Sequence, residues 1–157
     1  MYPLWPVLRP KDLLDACMDV ECLAPGRYAL LLAICAATNV QLKLSASHML
    51  SDLPDDTVSE LYAVWTQDYL LNEAVQARTR INIAEEPDID ALLTSTFLFS
   101  CYANLERHNE AWFYLSQSVS FVISLQLHDE ASYASCSIVE AEIRSRIFWM
   151  VFVLERL

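Results

Sequence analysis

Three histidines, five cysteines and several adjacent carboxylates are the groups in this chain with the means to do chemistry. His48 stands in a polar stretch read as a loop. His108 and His128 stand at opposite ends of one helical pattern, roughly 30 Å apart by helical rise, so they cannot share a metal within that helix. His128, near a helix C-terminus, interacts favourably with the helix dipole. The cysteines, at 17, 22, 35, 101 and 136, are odd in number and irregular in spacing. They form no Cys-x-x-Cys and no zinc-finger pattern, and read as buried free thiols in a reducing compartment. Asp55/Asp56, Glu85/Glu86, Asp88/Asp90 and Asp129/Glu130 pair carboxylates at helix edges or in loops. Helix starts attract acids, and nothing in the sequence makes these pairs converge as an acid and a base must. A nucleophile elbow, a dinucleotide fingerprint, a phosphate loop and a zinc-protease helix motif are all missing, and the chain has one glycine, Gly26. No catalytic, cofactor-binding or metal-ligating residue is assigned, and the chain is read as not an enzyme and as carrying no cofactor.

Two further sets of residues suit binding better than catalysis. Trp112, Phe113 and Tyr114 are consecutive and point to different sides of one helix, opposite Phe97, Phe99 and Tyr102. Such aromatics line a small-ligand pocket or, more ordinarily, pack a core. Arg78 and Arg80 precede the apolar Ile81 and Ile83, and either face solvent or anchor an anionic group.

These side chains need elements to position them, and the elements read as helices. A hydrophobic fraction of 55% with one glycine in 157 residues favours α-structure over tight-turned sheets. Three prolines within residues 1–10 fix an extended lead-in. Helices are then predicted at about 11–22, 27–42, 57–80, 89–105, 110–127 and 138–156. Pro25-Gly26 separates the first two, and the second, apolar on nearly every face, is expected to be central. Thr57-x-x-Glu60 and Ser137-x-x-Glu140 are capping boxes, and Asp88 and Asn109 are candidate N-caps. The third helix places Val58, Leu61, Trp65 and Tyr69 at helical spacing. Glu140/Arg144 and Glu142/Arg146 stand four residues apart on the last helix, whose second half is apolar. The polar break Glu106-Arg107-His108 joins two apolar helices into an antiparallel hairpin. A search for a 34-residue helix-pair repeat gives one partial match, at Tyr102, Ala111 and Leu115, without the repeat's Gly and Trp and without a second copy.

Charge narrows the partners. With 10 Lys+Arg against 21 Asp+Glu, the net charge is −11, which repels nucleic-acid phosphates. From Ser45 to Ala77 there are six acidic residues and no Lys or Arg, read mainly as a solvated face. No secretory signal is read at the N-terminus, and the long uncharged run after Ala111 carries too many serines and glutamines for a membrane span.

Three segments together resemble a known family. They are Glu86-Pro-x-x-Asp90-x-Leu-Leu-Thr-Ser-x-Phe-Leu-Phe, Asn104-Leu-x-Arg-His-Asn-x-Ala-Trp-Phe-Tyr-Leu and Leu127-His-Asp-Glu-x-x-Tyr133. Tyr2-Pro-Leu-Trp-Pro-Val and Glu142-x-Arg144-x-Arg146-Ile-Phe-Trp-x-x-Phe-Val-x-Glu155-Arg156 fit the same pattern. The resemblance is to the fungal-specific transcription factor, or middle-homology, domain of zinc-binuclear-cluster factors, nearest in flavour to amylase and maltose regulators. It is specific over residues 81–157 and looser before. It implies an all-α array of antiparallel helix hairpins, with residues 1–157 as the N-terminal part of a larger regulatory domain continuing past Leu157. It further implies a nuclear regulator of RNA polymerase II transcription of metabolic, sugar-related genes. Its partners would be the protein's own DNA-binding and activating regions, a small-molecule inducer or a corepressor protein, and a second copy of the full protein. It brings no site residues. The zinc cluster would lie in another domain, so this stretch itself would contact neither zinc, nucleic acid nor membrane. The family often has glycine where this chain has Gln126 and Ala103. The competing reading is a helical scaffold that binds protein partners in a groove, with no role in transcription.

Overall fold

The computed structural model describes residues 7–8, 10–18, 22–49, 67–81 and 87–156. Among the described residues there are six α-helices and no strand. They are α1 (Pro10–Met18), α2 (Pro25–Met49), α3 (Gln67–Thr79), α4 (Ile89–Asn104), α5 (His108–Ser124) and α6 (Ile138–Leu154). A 3-10 helix, Glu130–Tyr133, stands between α5 and α6. The all-α architecture agrees with the sequence.

Helix α4 is the centre of the molecule. Every residue from Ala91 to Leu98 is buried, and Phe97, Leu92 and Leu98 are essentially solvent-free. The sequence pointed to the second helix instead. That helix, α2, does pack against both α3 and α4, through Ala29, Leu30, Ala33, Ala36, Ala37 and Val40. These recur every three or four residues, so one face is buried while Cys35 and Thr38 on the other meet solvent. The facing stripe on α3 is Leu70, Leu71, Ala74 and Ala77. Small residues on both stripes let the two axes approach closely.

The ends of the helices differ from expectation for local reasons. Pro25 and Gly26 do not separate two helices; they form the first turn of α2. Proline suits that turn because its missing N–H would have no intrahelical partner there. Helix α2 also runs on past Leu42 to Met49, so His48 sits in its last turn and not in a loop. The segment expected as residues 57–80 is described only from Gln67; the Thr57/Glu60 box, Val58, Leu61 and Trp65 lie outside the described residues, and Tyr69 is half exposed. Helix α1 ends at Met18, short of Cys22. The cysteines are not uniformly buried: Cys17, Cys22 and Cys35 are exposed, Cys136 is partly so, and Cys101 alone is fully enclosed.

Caps set the junctions around α4, α5 and α6. Asp88 accepts from the Ala91 N–H at 2.6 Å, as its position suggested. Ser137 accepts from the Glu140 N–H at 3.2 Å, and Glu140 turns forward to Arg144 at 2.8 Å. Glu142 and Arg146 make the second pair. Asn109 is not a cap. Helix α5 starts two residues earlier than expected, at His108, and its N-cap, Arg107, makes no capping bond through its side chain, which pairs with Glu110 instead.

The reason lies in how α4 ends. The Arg107 N–H donates to Tyr102 O at 2.9 Å and the Glu106 N–H to Ala103 O at 3.2 Å, with Glu106 at φ 58. This is a Schellman closure, and it commits the backbone through Arg107 before α5 begins. Helix α5 closes in the same way, with Leu127 N–H to Val122 O, Gln126 N–H to Ile123 O, and Gln126 at φ 53.

Candidate functional site

The polar interior of the bundle lies where α3, α4 and α5 meet. Thr94, Ser95 and Thr96 are consecutive on α4 and all buried. A buried hydroxyl needs a partner, and each finds one in the carbonyl four residues back. Thr94 Oγ1 donates to Asp90 O at 2.6 Å and Ser95 Oγ to Ala91 O at 2.8 Å. Thr96 Oγ1 lies 3.0 Å from Leu92 O and 3.2 Å from Ser118 Oγ of α5. Ser118 Oγ in turn donates to Tyr114 O at 3.0 Å.

Donating backwards leaves the Ser95 oxygen free to accept. It accepts from Arg78 Nη2, in the last turn of α3, at 2.8 Å. Arg78 is only 5% exposed. Its guanidinium stands 5.3 Å from the centre of the Tyr114 ring, a cation–π contact. Burial pushes its pKa down, and the charge interaction and side-chain hydrogen bond with Tyr114 oppose that shift. Burial likewise raises the Tyr114 hydroxyl, against the pull of Arg78. Tyr114 stacks on Tyr102, with ring centres 5.4 Å apart and planes 4° apart, and Arg107 lies over Tyr102 at 4.8 Å. The two tyrosines tie α4 to α5, and each carries an arginine.

Beside Arg78 there is an open groove of about 190 Å³, lined by Val75, Thr79, Ile81, Phe113, Tyr114 and Gln117 as well as Arg78 itself. Two buried polar atoms, Arg78 Nε and Gln117 Oε1, have no hydrogen-bond partner. Of the two arginines that the sequence left open, Arg78 is therefore the buried one, while Arg80 is exposed.

The other candidates separate. His108 borders an apolar cleft of about 320 Å³ between α4, α5 and the end of α6, with Phe99, Trp112, Leu115 and Leu154. His128 borders a second cleft of about 160 Å³, with Val122, Phe148, Val151 and Phe152. Glu155 borders both. Among the described residues no group of three or more His, Cys, Asp or Glu is placed to hold a metal ion. None of the described helices is long and apolar enough to cross a membrane. The aromatic triplet divides: Tyr114 is core, whereas Trp112 is 64% and Phe113 56% exposed. Asp90, half of one carboxylate pair, forms an ion pair with Arg27 at 3.1 Å while Asp88 caps α4. Burial raises the Asp90 pKa against the opposing pull of Arg27.

The sequence reading did not single out Ser95 or Ser118. The available signal was three hydroxyl residues in a row within an otherwise apolar helix, which calls for partners on a neighbouring element.

The family model described as "Fungal specific transcription factor domain" matches residues 2–157. A probable sucrose utilization protein of Candida albicans is 30% identical over 99% of this chain, which spans 29% of that relative. A maltose fermentation regulatory protein of Saccharomyces cerevisiae is 24% identical over 99% of the chain, spanning 31% of the relative. A second yeast protein of the same description is 22% identical over a similar stretch. The chain thus spans under a third of the length of these relatives. No solved structure matches it.

Proposed function

This chain belongs to the fungal specific transcription factor domain family, and from that premise we propose that it is the regulatory domain of a zinc-cluster factor controlling carbohydrate-utilisation genes. The observation that carries the reading is the family match over residues 2–157, joined by similarity to proteins described as acting in sucrose utilization and maltose fermentation. On this reading the protein works in the nucleus, on RNA polymerase II promoters. The chain itself catalyses nothing and holds no cofactor. Its partners are the DNA-binding and activating regions of the same protein, a second copy of it, and an inducer or a corepressor protein.

The mechanism is a shift between two packings of the helices. A signal that binds one packing better than the other raises its population by the difference in affinity. The junction of α3, α4 and α5 is a suitable receiver, because its polar contacts join three elements through few bonds. Displacing Arg78 from Ser95 would alter how α3 sits on α4. Deleting the gene in its source organism and measuring transcripts on glucose, sucrose and maltose tests the reading. Sugar-dependent transcripts should lose their induction or their repression. Unchanged transcripts on all three sugars would refute it and favour a scaffold without a role in transcription.

A further inference from the structure

We infer that helix α6 is an interface to a second copy of this chain, the two α6 helices lying antiparallel about a twofold axis. In this pairing Glu142 faces the partner's Arg146, and Val139 faces the partner's Trp149. A second copy is among the partners proposed above, and the inference rests on that reading for its use; the contact itself is argued from the helix. Helix α6 buries Ile147 and Val151, with Ile143, Phe148 and Met150 packed partly against the core. Along its other side runs an exposed stripe of Val139, Glu142, Arg146, Trp149, Val153 and Arg156. Between Glu142 and Val153 no other residue is exposed. The spacings alternate three and four, which is the seam of a two-stranded coiled coil and not the broader face of a surface helix. Its apolar members, Val139, Trp149 and Val153, are half exposed or more. The Trp149 ring is held edge-on by Phe148 and Phe152, so it has little freedom left to lose on docking.

Charge selects the occupant and its direction. Laid parallel on itself, the stripe sets Glu142 on Glu142, Arg146 on Arg146 and Arg156 on Arg156. Laid antiparallel about Trp149 and Val153, it sets Arg146 against Arg156 at both ends. Like charges brought together across an interface are costly. In the register between, each charge faces an apolar residue: Glu142 meets Val153, and Arg156 meets Val139. Only antiparallel pairing about the midpoint of Glu142 and Arg146 sorts the stripe. It sets opposite charges together twice and Val139 on Trp149 twice, each contact made reciprocal by the twofold. Glu142 and Arg146 already pair along their own helix. Across the seam they join into a ring of four charges, which fixes register more than it adds affinity. Affinity comes from the two layers of Trp149 on Val139. This seam is short against the ~800 Å² per partner of a standard stable interface. The pairing is therefore reversible and set by concentration.

Sedimentation equilibrium of the full chain over a concentration series tests this. The wild-type mass should rise from the monomer's 17.9 kDa toward that of a dimer. Arg146→Glu sets glutamate against glutamate across the seam, and Glu142→Arg sets arginine against arginine. Each should weaken dimerisation by roughly tenfold or more. An equimolar mixture of the two variants should form a mixed dimer, because every charged layer is again an opposite pair. Both variants lack the ion pair within the helix, so recovery on mixing cannot come from a mended helix. A wild-type chain that stays monomeric overturns the assignment. So do single variants that associate like the wild type, or a mixture that associates no better than its components. If either charge variant does not fold, Trp149→Ser and Trp112→Ser decide the matter. Trp149→Ser should weaken the dimer more than Trp112→Ser, and the reverse order overturns the assignment. These measurements contain no transcription readout, so the interface and the gene-control reading can fail separately.

Discussion

Gln126 and Glu106 hold backbone positions that suit glycine, with φ 53 and φ 58. A side chain in the left-handed region crowds its own carbonyl by roughly 1–2 kcal/mol, which glycine avoids. Gln126→Gly and Glu106→Gly should each stabilise the chain, by about 1 kcal/mol after the extra freedom of the unfolded glycine is counted. Urea unfolding at constant m-value would reveal this as a higher midpoint. The sequence already marked Gln126 as standing where related chains often have glycine. Ala103, marked in the same way, lies inside α4, and the strained residue is Glu106 three positions on. The thiol of Cys101 is a second residue-scale case. Burial pushes its pKa from an ordinary 9.0 up to about 12. Between those values the unfolded chain has lost the proton and the folded chain keeps it. The folded state then binds more protons, so stability falls as pH rises through this window, by at most about 1.4 kcal/mol per pH unit. Burial also raises Tyr102 and Tyr114, which steepens the fall at the alkaline end. Cys101→Ala should flatten the decline above pH 9 relative to the wild type in the same unfolding measurement.

At the scale of elements, the α4–α5 hairpin was the most legible part of the sequence. Its two apolar runs are long and its break is short, so periodicity and turn agree. The register at the start of α5 was harder to read. Asn109 looks like a cap locally, but the Schellman closure of α4 sets the cap two residues earlier, at Arg107, and Glu110 receives the Arg107 side chain. The length of α2 was understated because its later turns carry polar residues with adequate helix propensity. Nothing local announces that Arg78 is enclosed, since that depends on how α3 docks across α4. Asp88 at the head of α4 was read correctly, and Asp88→Ala should destabilise by about 1 kcal/mol through the lost cap. Gly26 offers the opposite opportunity. A Cβ there would meet Asp88 Oδ2 at 3.6 Å, an ordinary contact, in the first turn of α2. Gly26→Ala should raise stability by roughly 0.5 kcal/mol in parallel denaturation curves.

Across the whole molecule, apolar surface is unevenly distributed. Trp112, Phe113 and Ile123 of α5 and Trp149 and Val153 of α6 are all more than half exposed. Apolar surface of that kind drives association in water. The isolated chain should therefore self-associate at micromolar concentration, and the double variant Trp112→Lys/Trp149→Lys should sediment as a smaller species than the wild type.

The packing is uneven as well. Helix α6 meets α5 through few residues, with Ile147 and Val151 as its buried side chains, whereas α4 is enclosed by α2 and α5. The corner before α6 is held by side-chain bonds. Asp129 caps the 3-10 turn, Ser132 Oγ donates to Gln126 O, and the Tyr133 hydroxyl donates to Leu127 O. This gives the molecule an order of dismantling. On dilution into deuterated solvent, the amides of α6 should exchange before those of α4. A domain that opens from one flank keeps its interior intact while that flank comes and goes.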